Sequence, residues 1–299
     1  MDSQIKYLSN DGYRPTDGLG AMFQEVLNQY LYCADHPEIT FLFTPFKMLR
    51  IDSPGLTQEN SDLMLNKYMQ TMLLPPPILI DNPSIDQSQV KRSRSKEYLD
   101  LTVRVNPERL DPLKSHYESA SSKWKCYFEP QAINVACHIR VETKLDVEPP
   151  SLNWKRDYWR RGNTVDSYFN KIIQELSRMV SPRHIHFHLY TQSTDLNHYV
   201  TELQNDRIRI VVHQGDELFD DIHHMIKADI FVASKSSLTN LINYYRRGIT
   251  ISRPFWHELA NVIYHDLSGT FSSEQEGIIT KFCETIETRG DLTSLNKNG

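Results

Sequence analysis

Three short stretches gather the residue types that handle an anion. The first is His138-Ile139-Arg140-Val141-Glu142. Alternate residues of a strand face one way, so an imidazole, a guanidinium and a carboxylate share one side. The planar fork of arginine donates two parallel hydrogen bonds, which suits phosphate oxygens; the plainer reading is a surface ion pair between Arg140 and Glu142. The second stretch, from Phe231 to Thr239, carries Ser234, Ser236, Ser237 and Thr239 where a strand passes into a helix. Unpaired N–H groups of a helix start, joined by hydroxyls, bind anions. Ser236 or Ser237 acting as a simple N-cap is the structural alternative, yet four hydroxyls exceed what one cap requires. The third is Asp17-Gly18-Leu19-Gly20, a glycine turn entering a helix. Gly-x-Gly lets backbone come close to a ligand. The third glycine of a dinucleotide fingerprint is absent, and so is the Gly-Lys-Ser/Thr of a P-loop.

The elements that would position these groups follow from periodicity. From Ile133 onward the pattern is regular: strands over 133–139, 184–190, 208–212, 229–233 and 249–252, and helices over 165–180, 195–205, 217–227, 237–247 and about 273–288. Strands alternating with helices of this length imply right-handed βαβ units and a parallel sheet. Ligands of such sheets sit beyond the carboxyl ends of the strands, where His138, Arg140 and the serines fall. The first 130 residues read less regularly. Strands are expected over 5–8 and 39–43, and helices over 21–33, 62–74 and 107–123. The helix at 62–74 ends at Pro75-Pro76-Pro77, because proline lacks the donor and clashes with the preceding turn. Residues 86–96, with Lys91, Arg92, Arg94 and Lys96, read as a solvated loop. The expected organisation is an α/β chain with domains at 1–130 and 131–299, joined near Phe128–Ala132.

The chain has 299 residues, 39% hydrophobic and 24% charged, which suits two α/β domains rather than a disordered or membrane-spanning chain. Lysine and arginine total 33 against 38 acidic residues, a net charge of −5. No global field draws such a chain to nucleic acid or an anionic bilayer, so a phosphate-bearing partner needs a local site. The four cysteines (Cys33, Cys126, Cys137 and Cys283) are widely spaced, which suits a reducing compartment. No run approaches a membrane span, and the first twenty residues lack a signal-peptide pattern. A cytoplasmic protein is the expectation.

Taken together, Gly18-Leu19-Gly20, His138-Ile139-Arg140 and Ser234-Lys235-Ser236-Ser237 resemble the marks of the fucosyltransferase superfamily of GT-B glycosyltransferases. That group includes α1,2-, α1,6- and protein O-fucosyltransferases. Asp221 to Ser237, and Arg253-Pro254-Phe255-Trp256-His257, look like its uncharacterised branch. The resemblance implies two facing Rossmann-like domains and metal-independent, inverting transfer of a sugar from a nucleotide diphosphate. The sugar would be fucose or a related deoxyhexose or pentose, GDP the favoured carrier, and a glycan hydroxyl the acceptor. Arg140 would hold the diphosphate, His138 the nucleotide end, and Ser234, Ser236, Ser237 and Thr239 phosphate. Asp216 would read guanine, whose two adjacent donors a carboxylate matches. Ala21 stands where the family has asparagine, and Val141 where its α1,2/α1,6 members have a second arginine.

Inversion needs a base for the acceptor proton and positive charge near the departing diphosphate. Glu142, Asp146 and Glu148 follow the donor strand, and Asp17 lies in the other domain; Glu142 ranks first because alternation puts it beside Arg140. No Asp-x-Asp is present, so no metal cofactor is expected. His184-Ile185-His186-Phe187-His188 spaces imidazoles along one strand, which favours a polar sheet face over a metal site. Trp154, Trp159 and Trp256 could stack on sugar or base, although burial is the commoner use of tryptophan. The alternatives are a non-catalytic nucleotide-sugar or glycan-binding module and a transferase using a UDP-sugar.

Overall fold

A computed structural model describes residues 5–11, 18–45, 71–72, 78–140, 165–191, 196–214, 217–234, 236–253, 262–265 and 269–295. It divides into two compact units. Among the described residues the first holds 5–125 and 236–246, and the second holds 126–234, 247–253 and 262–295. The chain therefore enters the first unit twice.

In the first unit, β1 (Tyr7–Asn10), β2 (Thr40–Phe43), β3 (Ile78–Leu79) and β4 (Val90–Ser93) form a four-stranded sheet in the order β3-β2-β1-β4. Every described pairing in it is parallel. Helix α1 (Leu19–Asp35) follows β1, and its Met22, Phe23, Val26, Leu27 and Leu31 are buried at helical spacing. Helices α2 (Glu97–Val105) and α3 (Asp111–Ala120) complete the early part. Asn28 of α1 accepts the Leu99 N–H of α2 at 2.9 Å.

β4 corrects the sequence reading of 86–96 as loop. Residues 90–93 pair with β1 from Tyr7↔Val90 to Asn10↔Ser93. The strand lies at the sheet edge with Lys91 and Arg92 exposed, so it lacks the apolar run by which a buried strand is recognised. The expected helix over 107–123 is a 3-10 turn, Pro107–Leu110, followed by α3, and α2 was not foreseen. The predicted helix over 62–74 lies outside the described residues, apart from helical Thr71 and Met72.

The second unit is built on β5 (Ile133–His138), β6 (Ile185–Thr191), β7 (Ile208–Gln214), β8 (Ile230–Val232), β9 (Ile249–Ser252) and β10 (Val262–Tyr264). The order β10-β9-β8-β5-β6-β7 is the Rossmann order, three strands winding one way and three the other. All described pairs are parallel. Helices α4 (Val165–Met179), α5 (Asn197–Leu203), α6 (Leu218–Lys227) and α8 (Ser273–Leu295) belong to this unit, while α7 (Ser237–Tyr245) belongs to the first. One core joins Ile133, Val135, Cys137 and Ile139 to Phe169, Ile172, Ile173 and Leu176 of α4 and to Leu189, Val232 and Ile251. β5 is buried on both faces, as a central parallel strand must be. The α/β class with two parallel sheets agrees with the sequence reading. β10 is the one strand of this sheet the sequence did not reveal.

Asp229 pins β5 to β8 at their amino ends. Its carboxylate accepts the Asn134 N–H at 2.9 Å and its N–H donates to the Asn134 carbonyl at 3.0 Å. The strand pair that carries the candidate site thus has a fixed register.

Candidate functional site

In a Rossmann-ordered sheet the crevice opens where the winding reverses, here between β5 and β8. His138 is the last residue of β5, and Ser234 lies two residues past β8. Their side chains meet across that point, Ser234 Oγ to His138 Nδ1 at 3.2 Å. Arg140 follows two residues on, half-buried and near enough to act on the imidazole electrostatically. Desolvation first, and the Arg140 charge second, push the His138 pKa down to about 4. At neutral pH the site therefore holds one neutral imidazole able to donate or accept, one hydroxyl and one permanent cation. That combination suits an anionic, oxygen-rich ligand.

The other two motifs meet within the first unit. The N–H groups of Ala21 and Met22 donate to the Gly18 carbonyl as α1 begins. Gly20 faces the start of α7: a Cβ built on it would lie 2.3 Å from the Leu238 nitrogen and 2.6 Å from the Ser237 oxygen. Gln24 Nε2 donates to that same Ser237 carbonyl at 3.0 Å. The close backbone approach read from Gly-x-Gly occurs at Gly20, and what approaches is the chain's own helix. At Gly18 nothing lies within 4 Å of an added Cβ.

Among the hydroxyls, Ser236 is the N-cap of α7, its oxygen accepting the Leu238 N–H at 3.2 Å. Ser237 is half-buried at the first turn, and Thr239 is fully buried. Ser234 belongs to the second unit and Ser236 to the first, so the serine-rich run straddles the crossing of the chain. Asp17, Glu142, Asp146, Glu148, Asp216, Lys235, Trp154, Trp159 and Trp256 lie outside the described residues.

The carboxyl edge of the first sheet carries a polar cluster that the sequence did not announce. Asp11 pairs with Arg94, and the Asp11 N–H donates to Glu25 Oε1 at 3.0 Å. Gln29 Nε2 donates to the Ser93 carbonyl at 2.6 Å, and Asn10 exchanges two hydrogen bonds of 2.9 Å with Thr44. Recognising β4 as a strand would have placed Arg94 at a strand end beside Asp11.

The histidines of β6 resolve differently from a metal row. Tyr190 pairs with His213 across β6 and β7, their rings stacked at 4.5 Å, and His188 Nδ1 lies 3.1 Å from His213 Nε2. Phe128 and His224 close over them. Among the described residues no three His, Cys, Asp or Glu side chains are grouped to hold a metal ion. Among those residues, too, no helix is long and apolar enough to cross a membrane.

The chain matches no protein-family model and no curated protein. Among solved structures it is similar to E. coli heptosyltransferase WaaC with ADP-2-deoxy-2-fluoro heptose, at 10% identity and a TM-score of 0.42, over 94% of this chain and 99% of that one. It is similar to POFUT1 in complex with GDP, at 11% identity and a TM-score of 0.39, over 84% and 99% of the two chains. It is also similar to POFUT1 in complex with GDP-fucose, at 14% identity and a TM-score of 0.32, over 82% and 71%.

Proposed function

We propose that this chain is a glycosyltransferase that moves a sugar, fucose or a related deoxyhexose or pentose, from a nucleotide-diphosphate donor to a glycan hydroxyl. GDP is the favoured carrier, the transfer inverts the anomeric centre, and no metal takes part. The observation that carries the reading is the His138–Ser234 contact at the reversal point of a Rossmann-ordered sheet, with Arg140 beside it.

In the proposed step the acceptor oxygen attacks the anomeric carbon while the bond from that carbon to the diphosphate oxygen breaks. The acceptor proton passes to a carboxylate, with Glu142, Glu148 and Asp17 the candidates. The diphosphate leaves with the bonding pair, and Arg140 meets the charge that builds on it. His138, neutral because its pKa is held near 4, serves as a hydrogen-bonding partner of the nucleotide and adds no second charge. Ser234 holds its ring. Ser236 and Ser237 stand for phosphate contacts at a helix start, and Gly18 and Gly20 for the glycine turn of the donor reading.

Calorimetric titration with GDP, UDP and their sugars tests the reading; no binding at millimolar nucleotide would reject it. Arg140→Ala should abolish transfer while leaving the thermal midpoint nearly unchanged, and retained turnover would refute the role of Arg140. Ala21 and Val141, which replace an asparagine and an arginine of the family pattern, favour as a second reading a module that binds nucleotide-sugar or glycan without turnover. Tight binding with neither donor hydrolysis nor transfer across an acceptor panel would select it.

A further inference from the structure

The first sheet has a reversal of its own. β1, β2 and β3 run to one side and β4 lies on the other, so β1 and β4 flank the point at which the order turns. Ligands of open parallel sheets sit beyond the carboxyl ends of the strands at such a point. The β1–β4 register ends at Asn10↔Ser93, which sets Asp11 level with Arg94 one residue on. Their side chains meet there, Nε and Nη2 of Arg94 both turned to Asp11 Oδ2. The Arg94 side chain is 60% exposed and that of Asp11 18%, so the pair is reached from solvent. Among the described residues Arg94 makes no other polar contact, and the Nη1 side of its guanidinium is left to a ligand.

An exposed ion pair is by itself an ordinary surface feature. What sets this one apart is its support. Glu25 and Gln29, one turn apart on α1, are 1% and 0% exposed. Glu25 Oε1 accepts the Asp11 N–H at 3.0 Å, and Gln29 Nε2 donates to the Ser93 carbonyl at 2.6 Å. Two buried polar side chains thus hold the backbone on both sides of the reversal, at Asp11 and just before Arg94. The next strand is tied in as well, since Asn10 exchanges its two hydrogen bonds with Thr44 beyond β2. Burying polar side chains is costly, and hydrogen bonds offset the cost only in part. A charge pair that serves solubility does not call for such support, whereas a ligand site whose groups must keep one geometry does.

We propose that the β1–β4 reversal is a saccharide-binding site, in which Asp11 and Arg94 take two neighbouring ring hydroxyls. Each hydroxyl both donates and accepts. The guanidinium donates to the pair of hydroxyls from its Nη1 side, and the carboxylate accepts from one of them. A carboxylate has lone pairs enough to serve a guanidinium and a hydroxyl together. The two opposite charges cancel, which favours an uncharged polyol over an anion. Glu25 and Gln29 are positioning residues. The inference names residues for the glycan of the proposed reaction, yet it stands on the first unit alone and does not need the donor reading.

The test titrates wild type, Asp11→Asn and Arg94→Gln with lactose, cellobiose and maltose, and with GDP as the reference ligand. NMR follows the Arg94 Nε–H, assigned by its absence in Arg94→Gln, and the amides of Asp11, Arg94 and Ser95. The expected result is that at least one disaccharide shifts these resonances in wild type and binds each variant at least tenfold more weakly. GDP affinity should stay within twofold and the thermal midpoint should hold, as suits exposed side chains. If none of the three disaccharides moves the Arg94 resonance, the proposal is overturned. Disaccharide affinity in Arg94→Gln within twofold of wild type overturns it too. Arg92 is exposed and shares the parity of Arg94 on β4, so inorganic phosphate is the competing probe. Phosphate that moves the Arg94 resonance at lower concentration than any disaccharide marks an anion site and overturns the proposal. Should a variant fail to fold, the wild-type shifts decide. GDP binding with no disaccharide at this edge refutes this inference alone; a disaccharide bound here, with no nucleoside diphosphate bound, refutes the donor reading alone.

Discussion

Gly20→Ala isolates the contact that joins two of the sequence motifs. The added Cβ would stand 2.3 Å from the Leu238 nitrogen and 2.4 Å from the Ser237 carbonyl carbon. Carbon contacts become comfortable at about 3.5 Å, so α1 and α7 must part by about 1.2 Å. Both atoms are backbone, and no side-chain rotation can relieve the clash. Overpacking of this kind costs about 1–3 kcal/mol. Parting the helices also stretches the 3.0 Å bond from Gln24 to the Ser237 carbonyl, a loss of about 1 kcal/mol. Replacing a helical glycine by alanine gains up to about 1 kcal/mol of propensity, which acts in the opposite direction. The contact wins, with a net destabilisation of about 1–3 kcal/mol, or roughly 3–10 °C in the thermal midpoint of a unit of this size. Gly18→Ala is the matched control: it meets open space and should stay within about 0.5 kcal/mol of wild type. Urea unfolding of the two variants, with amide exchange over residues 237–245, makes the measurement. If Gly20→Ala matches Gly18→Ala within 0.5 kcal/mol, by the same standard as surface substitutions, the close approach of α1 to α7 is not as described.

Three further expectations concern the second unit. Burial, followed by the charges of His213 and His224, lowers the His188 pKa to about 3, whereas an unfolded histidine titrates near 6.5. The unfolded chain then binds more protons between these values. Stability is complete above about pH 6.5 and falls as the pH drops toward 3, by about 2 kcal/mol at pH 5 from this residue; denaturant midpoints at pH 7.5 and 5 should flatten in His188→Gln, and an equal slope would refute the assignment. Arg140→Ala should move the His138 pKa upward by less than half of its total depression, since desolvation is the larger cause; an imidazole NMR titration that leaves it unmoved would separate the two side chains. Asp229→Ala removes the carboxylate that accepts the Asn134 N–H and should cost about 1–3 kcal/mol in urea unfolding. Because Asp229 sits at the amino ends of β5 and β8, nucleotide affinity should hold, and a selective loss of affinity would contradict that placement.

What the sequence disclosed and what it concealed divide along one physical line. Central strands announced themselves: β5, β6, β8 and β9 are buried over most of their length and carry Val, Ile, Leu or Phe at close intervals, because parallel strands covered on both faces are largely apolar. β4 and β10 are edge strands of partial burial: β4 (Val-Lys-Arg-Ser) has no apolar run, and β10 (Val-Ile-Tyr) is too short for a period to show, whereas β7, the other edge strand of its sheet, is long enough to be read from its Ile-Arg-Ile-Val-Val run. The same line runs through the site. His138, Arg140 and Ser234 were legible because each follows a strand that could be seen, and the sheet order then brings His138 and Ser234 to 3.2 Å. The polar edge residues tied to concealed strands were not: Arg94 follows β4 and His265 follows β10. Arg253 shows the intermediate case, since β9 was visible but its neighbour was not. A lone arginine after a strand reads as a surface charge until α4 supplies Tyr168, whose ring its guanidinium covers at 3.6 Å, and β10 supplies His265, which holds the Tyr168 hydroxyl. In a doubly wound sheet the ligand edge is thus read most securely at its centre, where apolar strands fix the register. It fades toward the flanks, where strands are short or partly exposed.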